Sequence, residues 1–213
     1  MAAGTGTAEG YTVHTFTSGG TLAFNPAALT LAGSISGIGA LSVNATGGSV
    51  QLSAANTYSG GTTVSGGTLF GGANSGTRTA FGSGAITVGA GAVLRTDRSS
   101  LANDLVLTGG TLQGTSSWGE SWGGNLTLLA ASTVDAGSGM TMNGIVSGSG
   151  SLTKTGNGQL NLNGINTYSG GTTVSAGTLF GGAGSGSRTA FGSGAITVGS
   201  GTMLWTDQSD LSN

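Results

Sequence analysis

Short apolar clusters alternate with polar positions along almost the whole chain. Val50-Gln51-Leu52, Thr62-Thr63-Val64, Ala85-Ile86-Thr87-Val88, Leu105-Val106-Leu107, Thr111-Leu112-Gln113 and Leu126-Thr127-Leu128 each repeat with period 2 and are bounded by Gly, Ser or Asn. That pattern predicts very short strands, each with one face buried, separated by turns. Comparable clusters recur at near-constant spacing: the steps from Val88 to Leu107 and from Leu107 to Leu128 are nearly equal. No segment keeps a helical period, and glycine is too dense for helices to compete. Strands this short, with no helix-length connections, suit an all-β, single-stranded parallel β-helix, in which every strand pairs with the strand one coil above and below. At about 20 residues per coil and about 4.8 Å per rung, the expectation is roughly ten coils and a rod about 50 Å long.

The pattern is also duplicated. Asn56 to Leu101 and Asn166 to Leu211 are identical at 37 of 46 positions. Weaker similarity continues upstream, where LTLAGSISGIGAL from Leu29 aligns with MTMNGIVSGSGSL from Met140 after a one-residue slip. The reading is therefore an N-terminal β segment or cap over 1–28, one repeat unit over 29–139 and a second, incomplete unit over 140–213. An array that stops in mid-unit exposes unpaired strand edges, so copies of the chain are expected to pair end to end, the last coil of one against the Tyr11 to Phe24 region of the next.

Composition sharpens this picture. Of 213 residues, 46 are Gly, 28 Ser and 32 Thr, half of the chain, yet 36% are hydrophobic and only 12 are charged, with a net charge of −2. A disordered linker would be less apolar and more charged. The five basic residues, Arg78, Arg95, Arg98, Lys154 and Arg188, are too few and too scattered to neutralise a run of phosphates, so no nucleic-acid partner is expected. No apolar run approaches the ~20 residues needed to cross a bilayer as a helix, and no membrane insertion by this segment is expected. With no Cys in the chain, disulfides, thiolate metal sites and a cysteine nucleophile are excluded.

The strings NTYSGGTTVSGGTL, Asn56 to Leu69, and NTYSGGTTVSAGTL, Asn166 to Leu179, resemble the passenger-associated transport repeat of autotransporter proteins. The longer GSGSLTKTGNGQLNLNGINTYSGGTTV from Gly148 is similar to the same family. The resemblance implies a right-handed parallel β-helical passenger, exported to the bacterial surface or beyond, in which this repeat builds the stem. Asn56, Tyr58, Gly60 and Gly61, with Asn166, Tyr168, Gly170 and Gly171, then become structural residues of the repeat. A second resemblance, of GYTVHTFTSGGTLAF from Gly10 to Phe24, is to glycine-rich phage tail-fibre segments, which keeps a viral fibre open as an alternative.

Parallel β-helices also host enzymes acting on polysaccharides, and glycoside hydrolysis requires two carboxyl groups about 5 to 10 Å apart. The seven acids, Glu9, Asp97, Asp104, Glu120, Asp135, Asp207 and Asp210, form no pair at strand spacing. The cluster Arg95-Thr96-Asp97-Arg98 becomes Trp205-Thr206-Asp207-Gln208 in the second copy, losing both cations, and reads as a strand end with turn chemistry. His14 has no neighbouring acid or second ligand in sequence. No catalytic residue, cofactor or metal is expected. The remaining candidate is Trp118-Gly119-Glu120-Ser121-Trp122, unique to the first copy, whose two indoles and carboxylate could contact a glycan. The sequence thus points to a non-enzymatic, extracellular structural protein, an adhesin stem or filament subunit. A polysaccharide-binding or polysaccharide-degrading module is the rival, and a host or cell-surface glycan or protein is the possible further partner.

Overall fold

In the computed structural model, residues 14–16, 21–24, 28–72, 79–97, 101–117, 119–182 and 189–207 are described. They contain strands and turns and no helix. Every ladder between these strands is parallel, so the chain is the expected all-β parallel solenoid, with about eight turns. Coils that carry the long glycine-rich connection of each repeat take more of the chain than the others. There Val64 pairs with Val88 and Leu179 with Leu204, whereas a coil without the connection takes only the shorter step from Leu126 to Val146.

The coil has three sides. Face A stacks Thr21–Phe24, residues 41–43, residues 62–64, Ile86–Gly89, Leu105–Thr108, Leu126–Leu128 and Val146–Ser147. Face B stacks Ala28–Leu31, residues 49–52, residues 68–71, Val93–Thr96, Thr111–Gly114, Ser132–Ala136, Leu152–Thr155, Thr172–Val174 and Ile196–Val198. Face C pairs His14–Phe16 with Ile35–Gly37 below, and higher up stacks Glu120–Trp122, Gly139–Met142, Gln159–Leu162, Thr178–Gly181 and Met203–Thr206. The long strands Ala40–Leu52 and Thr62–Gly71 run around the corner from face A to face B.

Period 2 along each strand sends alternate residues inward, and parallel register stacks them on like residues. Val43, Val64, Val88, Leu107 and Leu128 form one such interior ladder, and all five are fully buried. Each such side chain contributes about 1.5–3 kcal/mol through burial. Glycine is required where rings fill the narrow interior. A Cβ on Gly71 would lie 2.2 Å from Phe81 Cζ, and one on Gly181 would lie 2.6 Å from Phe191 Cζ.

The register also shows how the duplication is accommodated. Residues 62–64 stand on face A, whereas their counterparts Thr172–Val174 stand on face B. Residues 68–71 stand on face B, and their counterparts Thr178–Gly181 on face C. The step from Asn56 to Asn166 is therefore five full coils plus one side, and the second copy is turned by a third of a revolution relative to the first.

Candidate functional site

The repeat motif builds a clamp across three coils. Asn56 to Ser59 is not regular strand, although its main chain still bonds to the coils on either side, and the Asn56 side chain supplies what the ladder would have given. The Ile35 N–H donates to Asn56 Oδ1 at 2.7 Å, and Asn56 Nδ2 donates to the Ala80 carbonyl at 2.6 Å. The second copy repeats this with Val146 N–H to Asn166 Oδ1 at 2.8 Å and Asn166 Nδ2 to Ala190 O at 2.6 Å. Beside each Asn, a fully buried tyrosine satisfies its hydroxyl within the motif: Tyr58 Oη lies 2.6 Å from Thr62 Oγ1, and Tyr168 Oη 2.6 Å from Thr172 Oγ1. Burial holds both phenols well above the ordinary tyrosine range, with the threonine hydroxyls opposing. Gly61 and Gly171 take φ of 87° and 90°, conformations that only glycine adopts freely. A Cβ on Gly60 or Gly170 would lie 2.6 or 2.4 Å from a carbonyl carbon of the coil below.

The glycan candidate from the sequence meets a different environment. Trp122 is buried, and its indole N–H donates to the Asn103 carbonyl at 2.6 Å. Glu120 is also buried; the Ser116 N–H donates to its Oε1 at 2.5 Å, and Oε2 has no hydrogen-bond partner. Burial raises the Glu120 carboxyl above the usual carboxylate range, against the pull of the Ser116 and Thr115 main chain and with the help of the Asp97 charge. Strand alternation turns both side chains inward; Trp118 lies outside the described residues.

Lys154 is the interior residue that the sequence reading passed over. It occupies a rung between Val134 and Val174 and is fully buried. Its ammonium donates to the carbonyls of Thr155, Gly156 and Ala176 at 2.7, 2.8 and 3.1 Å, which satisfies all three protons. Burial pushes its pKa down to about 8, with Asp135 opposing. The signal was present: Leu152 and Lys154 share parity, so an inward Leu152 demands an inward Lys154.

The other charged residues are dispersed. Arg95 projects over the Phe70 ring at 5.1 Å, Thr96 is buried, and the Asp97 carboxylate sits against Gly72, where a Cβ would approach it to 2.0 Å. Arg98 lies outside the described residues, as does the side chain of His14. Asp104 Oδ1 accepts from the Asn125 N–H at 2.8 Å, and Asp135 Oδ2 from Gln113 Nε2 at 2.9 Å, so both serve as ties between neighbouring coils. Among the described residues no group of three His, Cys, Asp or Glu is placed to hold a metal ion.

On the outside of face C lies an open groove of about 500 Å³ bordered by Ser117, Gly119 and the strands Glu120–Trp122, Gly139–Met142 and Gln159–Leu162. Above it the register carries Asn161 to Phe180 and then Trp205, whose rings stack with centroids 4.2 Å apart.

Residues 47–69 and 152–179 match the family model of the passenger-associated-transport-repeat. No curated protein and no solved structure matches the chain. The match falls once in each copy of the duplication, and each matched segment includes the Asn and Tyr of one clamp. Together with the parallel solenoid, the repeat fits an autotransporter passenger β-helix.

Proposed function

We propose that this chain is a non-enzymatic stem of an autotransporter-like adhesin, working at the cell surface or beyond it. The observation that carries the reading is the duplicated clamp: it ties coil to coil, and its Asn, Tyr and Thr side chains, the same in both copies, point inward. Asn56, Tyr58, Thr62 and their counterparts are buried and leave none of their polar groups facing solvent for chemistry. Their work is mechanical, since continuous main-chain ladders and a stacked apolar interior make a stiff rod that holds something away from the cell. Export of the chain between a secretion signal and an outer-membrane barrel tests this. Protease-resistant chain on the cell exterior is the expected result, and retention in the periplasm, or rapid digestion once outside, overturns it.

A filament of stems joined end to end belongs to the same proposal. Its support is that neighbouring coils are joined only through parallel main-chain ladders, a joint that a coil of another copy can supply in the same way. Sedimentation of the purified chain over a wide concentration range checks it, and a constant monomer mass removes it.

A further inference from the structure

We propose that the groove on face C is a binding site for a neutral oligosaccharide. This goes beyond the stem reading and stands or falls independently of how the chain is exported. The neutral polar side chains that line the groove are Ser117, Ser121, Ser138, Thr141, Gln159 and Asn161, all hydroxyls and amides, and Met140 adds an apolar side chain. Its volume of about 500 Å³ falls within the roughly 300–1,000 Å³ of small-molecule sites. Glu120 also borders the groove, but its carboxylate turns toward Gly114 and the Ser116 N–H, away from a ligand.

The polar groups are already aligned. Gln159 Nε2 donates to Asn161 Oδ1 at 2.5 Å, and Asn161 Nδ2 donates to Thr141 Oγ1 at 3.0 Å. That chain fixes both amides in place while leaving Gln159 Oε1, one N–H of each amide and the Thr141 hydroxyl proton for a ligand. A sugar presents the same alternation of donor and acceptor on neighbouring hydroxyls. The rungs carrying Ser121, Thr141 and Asn161 are consecutive and about 4.8 Å apart, close to the length of one pyranose. An oligosaccharide lying along the rod therefore meets a hydroxyl or amide at each ring. Phe180 and the half-exposed Trp205 continue the track with apolar surface, which suits the C–H faces of a sugar.

Competing ligands fit less well. Among the described residues no basic side chain lines the groove, so a polyanion finds no counter-charge. An extended peptide binds a sheet by adding a strand to a free edge, whereas Gly139–Met142 and Gln159–Leu162 are already paired on both sides.

Calorimetric and NMR titration of the whole chain with cellohexaose, chitohexaose, maltohexaose and mannohexaose tests the site, with a hyaluronan hexasaccharide as the anionic comparison. The expected result is saturable binding of at least one neutral hexasaccharide, weakened about tenfold or more by Asn161→Ala or Gln159→Ala, the loss of about 1.4 kcal/mol, and unchanged by Gln113→Ala on face B. Ser121→Trp fills the groove from an outward position without touching the interior, so it blocks binding even if the amide variants fold poorly. Absence of binding to all four neutral sugars, binding indifferent to these three changes, or preference for hyaluronan overturns the proposal.

Discussion

At the scale of the residue, one asparagine side chain in each repeat replaces two main-chain hydrogen bonds. Asn56→Ala strands the Ile35 N–H and the Ala80 carbonyl in the interior, and each buried orphan costs about 1–3 kcal/mol. Urea unfolding should show a loss of about 2–5 kcal/mol for this variant and a similar loss for Asn166→Ala; a loss below about 1 kcal/mol would mean that water or a shifted strand replaces the amide. Lys154 gives a signature in pH. Its folded pKa of about 8 lies below the unfolded value of about 10.4, so between these values the unfolded chain binds more protons and stability rises with pH. Comparing thermal unfolding at pH 7 and pH 10, the native chain should gain up to about 3 kcal/mol relative to Lys154→Met; equal pH profiles for the two proteins would defeat the assignment. The difference between the proteins is the informative quantity, because the raised phenols of Tyr58 and Tyr168 remove stability as pH climbs past about 10. Parity made Lys154 and Trp122 readable as inward positions, but the charge of Lys154 argued for the surface. What residue type alone does not convey is that three carbonyls at a corner, or one at Asn103, can satisfy such a group inside.

At the scale of the element, each strand is only a few residues long where it serves one face, too short to hold itself, and draws its stability from the coils on either side. The alternation visible in the sequence located these strands well, since inward Val and Leu positions stack on one another in register. The segment Asn56 to Ser59 was less legible. It lacks the apolar alternation of the strands, yet it is laddered to its neighbours by main-chain bonds and partly by side chains, a substitution that becomes visible only when Ile35 and Ala80 are brought to either side of Asn56. Ring packing gives a test at this scale. Gly71→Ala directs a methyl group into the Phe81 ring and should cost about 1–3 kcal/mol by overpacking. In a Phe81→Leu background the same change should cost clearly less, so the double-mutant cycle should show a coupling of at least about 0.5 kcal/mol. Additive effects would mean that the backbone yields and the ring does not.

At the scale of the whole molecule, the recurrence of Asn56 as Asn166 was plain in the sequence, but the turn of the second copy about the rod was not, because it depends on how many sides a unit contains. Identical segments fold equally well on face A and face B, or on face B and face C, so the three sides are interchangeable as building positions. Joining Ala55 directly to Asn166 removes one whole unit and shifts every later segment by one side. The shortened chain should still give a β-rich circular dichroism spectrum and cooperative unfolding, with a rod shorter by about 26 Å, five and a third rungs of about 4.8 Å, in small-angle scattering. An unfolded product would show that the sides are specialised after all. This has a genetic corollary. Where a solenoid accepts only whole turns, an unequal crossover yields a foldable product at one alignment per coil. If the shortened chain folds, this one yields a product at each of three alignments, so the gene can lengthen or shorten in steps of a single side, and tandem copies spread their variable outward positions, such as Arg95 and Trp205, around the rod like a spiral stair.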